Sequence, residues 1–425
     1  MSPISARAAV IGALLLPLTL TAPLPASAAD ASRAPAPAPA PAPAVTVEEA
    51  RLDRAVPREI LRRSGFDTVA PGFARALDGA RSHRQAERAV ARHGSALWER
   101  AVDRAQGRGP SVGDLSRDDD RPLYWARLAM TRELRQWQPD FGVSEDRRAR
   151  LLDRLERASR GQDSMHTGDR DGGRKGHRNL KRIVMTGFDP FTLDRDVRIS
   201  NPSGATALAL DGTVIRTADG PARIETAVFP VRWQDFADGS VEWTLRGQLS
   251  RADLFTTVSQ GRPGRIDIER TNGAWRGGFP DNETVSRTET VPVSDPASQP
   301  QWTSSTLPHT AILAAATGRF PVYDNTSVKE IPAGGTAVVT NPAGPTPGST
   351  AREGGGGNYL SNEIAYRATL LRDRLGLDVP GGHVHTPVLE FGPGNTTEIT
   401  DPVFVRNRLD IIAQVREIIR VAAGS

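Results

Sequence analysis

From Lys181 to the C-terminus, short apolar runs rich in β-branched residues (RIVMTGF, ETAVFPV, DLFTTVS, TAVVT) alternate with stretches of helical period such as NPSGATALAL and SSTLPHTAILAAAT. Strands that alternate with helices are joined by crossovers, which lays them largely parallel in one sheet with helices on both faces. Residues 181–425 are therefore predicted to form a three-layer α/β domain, phosphorylase- or hydrolase-like in outline, whose sites open beyond the carboxyl ends of the strands. The chain closes with PVFVRNRLDIIAQVREIIRVAA, where Leu409, Ile412, Val415 and Ile419 make one helical stripe.

Upstream the pattern differs. Residues 1–28 have the three parts of a secretory signal: Arg7, an apolar run from Ala8 to Leu20, and the small-residue motif Ala26-Ser27-Ala28. Pro17 interrupts that run, which is shorter than the roughly 18 to 20 residues that span a bilayer. No later segment is apolar enough to span, so a product secreted or held in the cell envelope is expected. Residues 29–44 read as an extended spacer, with Ala and Pro alternating from Ala34 to Ala44. Residues 45–162 carry helical spacing, with Ser144 as an N-cap ahead of Ala149, Leu152 and Leu155 and of Leu151 and Ala158. A small all-helical accessory domain of three to five helices follows from this, with Trp98, Trp125 and Trp137 in its core. Residues 163–180 are rich in Gly, Asp, Arg and His and read as a flexible linker, its His166 and His177 solvated.

The chain has no cysteine, which excludes disulfides, thiolate metal sites and a thiol nucleophile. With 54 basic against 50 acidic residues the charge is nearly balanced and interspersed, which gives no support to nucleic-acid binding. His383 and His385 share a strand face, but no third metal ligand accompanies them, so neither a metal nor another cofactor is expected.

Four stretches carry residues suited to chemistry. GFDPF, from Gly187 to Phe191, ends the first strand of the α/β region and is followed by Asn201-Pro202-Ser203 opening a helix. SQGRPGRIDIERTNG holds Gln260 and Glu269-Arg270 after a glycine-rich loop, and GGGGNYLSNEIAY places Ser361 where a glycine loop meets a helix. GGHVHTPVL puts His385 on a strand. Taken singly, Ser361 reads as a helix N-cap, His385 as a buried strand histidine and Glu269-Arg270 as a surface ion pair.

In this order the segments GFDPF…NPS, IERTNG…FPDNE, SSTLP, GNYLSNEIAY and GGHVHTPVL resemble the pyroglutamyl peptidase I family of cysteine peptidases. The resemblance runs from about Arg182 to the end and leaves out the helical region and the signal. It implies a Glu, nucleophile and His triad at Glu269, Ser361 and His385, with serine where the family has cysteine. It also implies a lactam pocket with Phe188 and Phe191, and with Asn201 and Gln260 near the bound group. The implied partner is a peptide with an N-terminal pyroglutamyl residue, and the implied reaction is removal of that residue. A thiol beside an imidazole ionises readily, whereas a hydroxyl does not, so Ser361 needs His385 to take its proton during attack. Two other readings stay open: an inactive pseudoenzyme or pyroglutamyl-binding module, and an envelope protein whose helical region is the working part. The oligomeric state is not legible in the sequence. The insertion Pro345–Gly357 fits a lid or a loose loop equally.

Overall fold

The computed structural model describes residues 44–109, 112–165 and 180–425. The signal at 1–28, the spacer up to residue 43 and residues 166–179 of the linker, with His166 and His177, lie outside the described residues.

Among the described residues six α-helices come first, one more than the three to five expected: α1 (Val47–Ala50), α2 (Ala55–Ser64), α3 (Val69–Asp78), α4 (His83–Ala105), α5 (Arg121–Gln136) and α6 (Glu145–Ala158). Local chemistry fixes where several begin. Thr46 and Glu49 form a reciprocal capping box on α1, while Ser82 and Ser144 accept a backbone amide at the starts of α4 and α6. Trp98, Trp125 and Trp137 are buried, as their spacing predicts.

The chain continues through β1 (Lys181–Phe188), α7 (Pro202–Leu210), β2 (Val214–Thr217), β3 (Gly220–Phe229), α8 (Trp233–Ala237), α9 (Ser240–Leu249), β4 (Leu254–Gln260) and β5 (Ile266–Glu269). Short strands follow: β6 (Thr271–Gly273), β7 (Trp275–Arg276), β8 (Glu289–Thr290) and β9 (Trp302–Ser304). Then come α10 (His309–Ala314), β10 (Val322–Asn325), β11 (Val328–Ile331), β12 (Val339–Asn341), β13 (Thr350–Glu353), α11 (Leu360–Arg374), β14 (Gly381–Thr386) and α12 (Pro402–Ala422).

The main sheet has seven strands in the order β10-β5-β14-β4-β1-β3-β2. Strands β14, β4, β1 and β3 run parallel; β10 and β5 are parallel to each other but reversed against β14, and β2 is a reversed edge. This is the largely parallel α/β sheet expected. Alternation along β1 sends Ile183 and Met185 to one face and Val184 to the other. The first face packs with Leu208 of α7 and Ile411 and Val415 of α12, and the second with Leu245 of α9 and Ile364 and Ala368 of α11. Phe73, Leu97, Trp98 and Leu134 of the helical region belong to the same apolar core as Ile183, Met185 and Leu208. Full burial of a side chain such as Phe73 contributes roughly 1.5–3 kcal/mol.

Two expectations need correcting, and one point left open by the sequence is filled in. TAVVT is not a strand of the main sheet: its end enters β12, in a three-stranded antiparallel sheet of order β12-β11-β13, and Val338 and Val339 are exposed. The stripe of α12 is rotated. Leu409 is exposed, and the buried face carries Phe404, Arg408, Ile411, Val415 and Ile419, because Arg408 is drawn inward to Asp118 at 2.8 Å. The Pro345–Gly357 insertion is ordered, its second half forming β13 against β11 and then a glycine turn.

Candidate active site

Strands β5 and β14 pair antiparallel with His383 opposite Glu269 and His385 opposite Asp267. Side chains two apart on a strand share a face, so His383, His385 and Glu269 lie on one side of the sheet and Glu269 reaches His385 diagonally. The Glu269 Oε1 oxygen lies 2.7 Å from His385 Nδ1. Its other oxygen accepts from Asn325 Nδ2 at 2.7 Å, and Glu269 is 1% exposed. A carboxylate held at both oxygens fixes the imidazole with Nδ1–H toward Glu269, leaving Nε2 as the acceptor.

His383 is fully buried between Thr257 Oγ1, 2.7 Å from Nδ1, and Ser259 Oγ, 2.9 Å from Nε2. Both ring nitrogens are thereby engaged. Burial, and secondarily His385 beside it, pushes the His383 pKa well down. Among the described residues no group of three or more His, Cys, Asp or Glu is placed to hold a metal ion.

Ser361 is the second residue of α11 and not its cap; the cap position is Tyr359. Its hydroxyl donates to the Gly356 carbonyl at 3.1 Å. On the other flank of the same glycine stands His385, since a Cβ added to Gly356 would lie 3.1 Å from His385 Cε1. The turn Gly354–Gly357 closes on itself by reciprocal bonds between Gly354 and Gly357, and Gly355 is tied to Thr271 and Asn325. A Cβ on Gly355 would overlap Glu269 Oε2, so this turn is glycine because it lies directly on the Glu–His pair. Of the first amides of α11, those of Asn362 and Glu363 donate to the Tyr359 carbonyl at 3.0 and 3.1 Å, and the Tyr359 side chain caps none of them, so the helix start keeps the positive field of its dipole.

Phe188 packs against Phe236 with rings 6.1 Å apart, and Phe191 stacks on Tyr359 at 5.8 Å, both within one apolar cluster that includes Leu360. Trp233 and Phe279 meet Tyr359 edge-on, so Tyr359 is the centre of an aromatic group directly before Ser361. Gln260 ends β4 opposite Thr386, its Oε1 buried without a hydrogen-bond partner among the described residues. Asn201 is differently occupied: it caps α7 through Ser203 and donates to the Asp189 carbonyl at 2.9 Å. Its carbonyl end is spent on holding the loop. Arg270 pairs with Asp324 and leaves Glu269 to His385.

The structure thus gathers Glu269, His385 and Ser361 around Gly356, and Phe191 beside them through Tyr359. Sequence reasoning missed Asn325, Thr257, Ser259, Tyr359 and Trp233. Of these, Thr257 and Ser259 stood in the alternating run DLFTTVS, the one usable signal.

The fold and site define an α/β protein in which a buried Glu–His pair and a serine in the first turn of a helix both lie against Gly356. The chain belongs to the PA0049 family: the PA0049 N-terminal domain matches residues 28–156 and the PA0049 C-terminal domain residues 182–295 and 319–390. It is 33% identical to the Pseudomonas aeruginosa protein named "Uncharacterized protein PA0049" over an alignment of 493 positions that covers 88% of each. Among solved structures, a mutant pyrrolidone carboxyl peptidase from Pyrococcus furiosus is similar at 25% identity and a TM-score of 0.39, over 57% of this chain and 97% of that one. Pyroglutamyl peptidase I from Bacillus amyloliquefaciens is similar at 20% identity and a TM-score of 0.40, over 58% and 98%.

Proposed function

We propose that this protein is an exported hydrolase that removes N-terminal pyroglutamyl residues from peptides, with Ser361 as nucleophile. The observation that carries the reading is the 2.7 Å Glu269–His385 pair with Ser361 across Gly356 from it. The five sequence segments that resemble pyroglutamyl peptidases supply the substrate class, and the signal-like residues 1–28 supply the export. In this reaction the Ser361 hydroxyl turns from the Gly356 carbonyl toward His385, and Oγ attacks the pyroglutamyl carbonyl carbon as Nε2 takes the proton. His385 then protonates the leaving amine, and water hydrolyses the acyl ester by the same route. Amides at the start of α11 hold the developing oxyanion, and Glu269 keeps the imidazole in its tautomer. Gln260, with a free Oε1, is suited to accept the lactam N–H.

The engagement of Ser361 by the Gly356 carbonyl favours a second reading, a pyroglutamyl-binding module without turnover. Release of a reporter from a pyroglutamyl amide by the purified chain separates the two. The hydrolase reading expects Ser361→Ala and His385→Ala to lower the rate about 100- to 10,000-fold. Unchanged release by Ser361→Ala would end the serine mechanism. An inert parent made active by Ser361→Cys would establish the binding module.

A further inference from the structure

The loops that carry the proposed pocket are not held by the α/β layers alone. Asp189, inside GFDPF between Phe188 and Phe191, is buried, and its carboxylate is gripped by two arginines of the helical region. Arg127 Nη1 of α5 donates to both oxygens at 2.8 Å, while Arg160, just beyond α6, donates from Nε at 3.1 Å and Nη2 at 2.8 Å. Burial alone would push the Asp189 carboxyl up; the two guanidiniums outweigh it and hold the pKa below the ordinary value. The Asn201 loop is clipped in the same manner. Asp120, at the start of α5, accepts from the Ser200 hydroxyl and from the Asn201 amide, the latter at 2.9 Å. A third clip reaches the FPDNE loop, where Glu48 Oε1 accepts from Tyr124 at 2.7 Å and from Asn282 Nδ2 at 3.1 Å. The same Asn282 amide donates to the Pro190 carbonyl at 2.9 Å, and Arg51 Nη1 donates to the Asn282 carbonyl at 2.6 Å.

Stability alone does not require this pattern. Buried ion pairs are weak sources of net stability against apolar packing of similar volume, yet every one of these clips ends on a loop at the site. We propose that the N-terminal helical region is the shaping half of the pocket, with Arg127, Arg160 and Asp120 as positioning residues that set GFDPF and the Asn201 loop against Tyr359 and Ser361. This rests on the pyroglutamyl reading for the ligand and goes beyond it in giving the helical region a role in ligand affinity.

The absence of cysteine makes the test clean, because Ser361→Cys is then the only thiol in the chain. Alkylation of that thiol by iodoacetamide is measured with increasing pyroglutamyl amide as protectant, with and without Asp189→Asn, which keeps the size of the side chain and removes its charge. The expected result is a rise in the half-protecting concentration of roughly tenfold or more, as pocket groups lose their placement, with cooperative unfolding retained. Arg127→Lys, which keeps the charge but not the two-pronged geometry, is expected to fall between the two. Half-protection that stays put while the unfolding midpoint drops would make the clips structural only and overturn the proposal. An otherwise unaltered Ser361→Cys chain that the amide does not protect would instead sink the pyroglutamyl reading. The clips are then judged by amide hydrogen exchange in Asp189→Asn: faster exchange confined to residues 188–203 and 280–283 supports them, and none overturns them. Should Asp189→Asn fail to fold, Tyr124→Phe, which removes one hydroxyl from the Glu48 clip, takes its place.

Discussion

A single imidazole shows how the sheet treats two neighbouring histidines differently. His385 is tethered to a carboxylate and keeps one nitrogen for work, while His383, two residues earlier, is enclosed by hydroxyls with no acid partner. A histidine held neutral in the fold but free to bind a proton when unfolded, below an ordinary pKa near 6.5, weakens the fold as pH drops. The sign follows from proton counting: the unfolded chain binds more protons, so stability rises with pH across that window. Relative to His383→Gln, which keeps a hydrogen-bonding amide between Thr257 and Ser259, the parent is expected to lose more stability between pH 6.5 and pH 5, by up to about 1.5 kcal/mol. Urea unfolding of both chains across that range checks it, and parallel pH profiles would contradict it. Glu269, Ser361 and His385 came together in the sequence only through the order of the segments that resemble pyroglutamyl peptidases, since each alone reads as an ordinary surface pair, helix cap or buried histidine. Asn325 was not, because it reaches Glu269 from 56 residues away on a neighbouring strand and has no motif of its own.

At the scale of elements, the strands most readable in the sequence were β1, β3 and β4, which are rich in β-branched residues and buried along most of their length. TAVVT looked the same by composition but borders a small exposed sheet, and apolar character alone does not say which sheet a run joins. The stripe on α12 was misread because periodicity counts apolar residues and passes over a buried arginine that is paired and lies 5.2 Å from the Phe404 ring centre. The glycine turn Gly354–Gly357 was noted as a loop, yet its meaning is contact. A methyl group at Gly355 meets the Glu269 carboxylate with nowhere to go. Gly355→Ala is expected to cost about 1–3 kcal/mol in stability, by analogy with overpacked cores. It should also depress release of the pyroglutamyl reporter by displacing Glu269. Wild-type stability and rate in that variant would show that the turn is not seated on the pair as described.

At the scale of the whole molecule, composition changes sharply near residue 181 while the apolar core runs across that point. Trp98 of α4 is 2% exposed, donates to Asp211 beyond α7 at 3.2 Å and belongs to the same apolar core as the sheet. Heat should therefore melt helices and sheet in one calorimetric transition, and Trp98→Ala should lower the stability of both together by about 3–5 kcal/mol. Two separate transitions, with the mutation moving only the first, would refute the shared core. The rotated helix α12 carries a further consequence, one of timing. Asp118 precedes Arg408 by 290 residues, and neither is exposed in the finished fold. A chain emerging from the ribosome makes Asp118 long before its Arg408 partner, so this contact between the helical region and the last helix forms only late in synthesis. The final packing of the helical region against α12 is therefore expected to complete only after the whole chain is made.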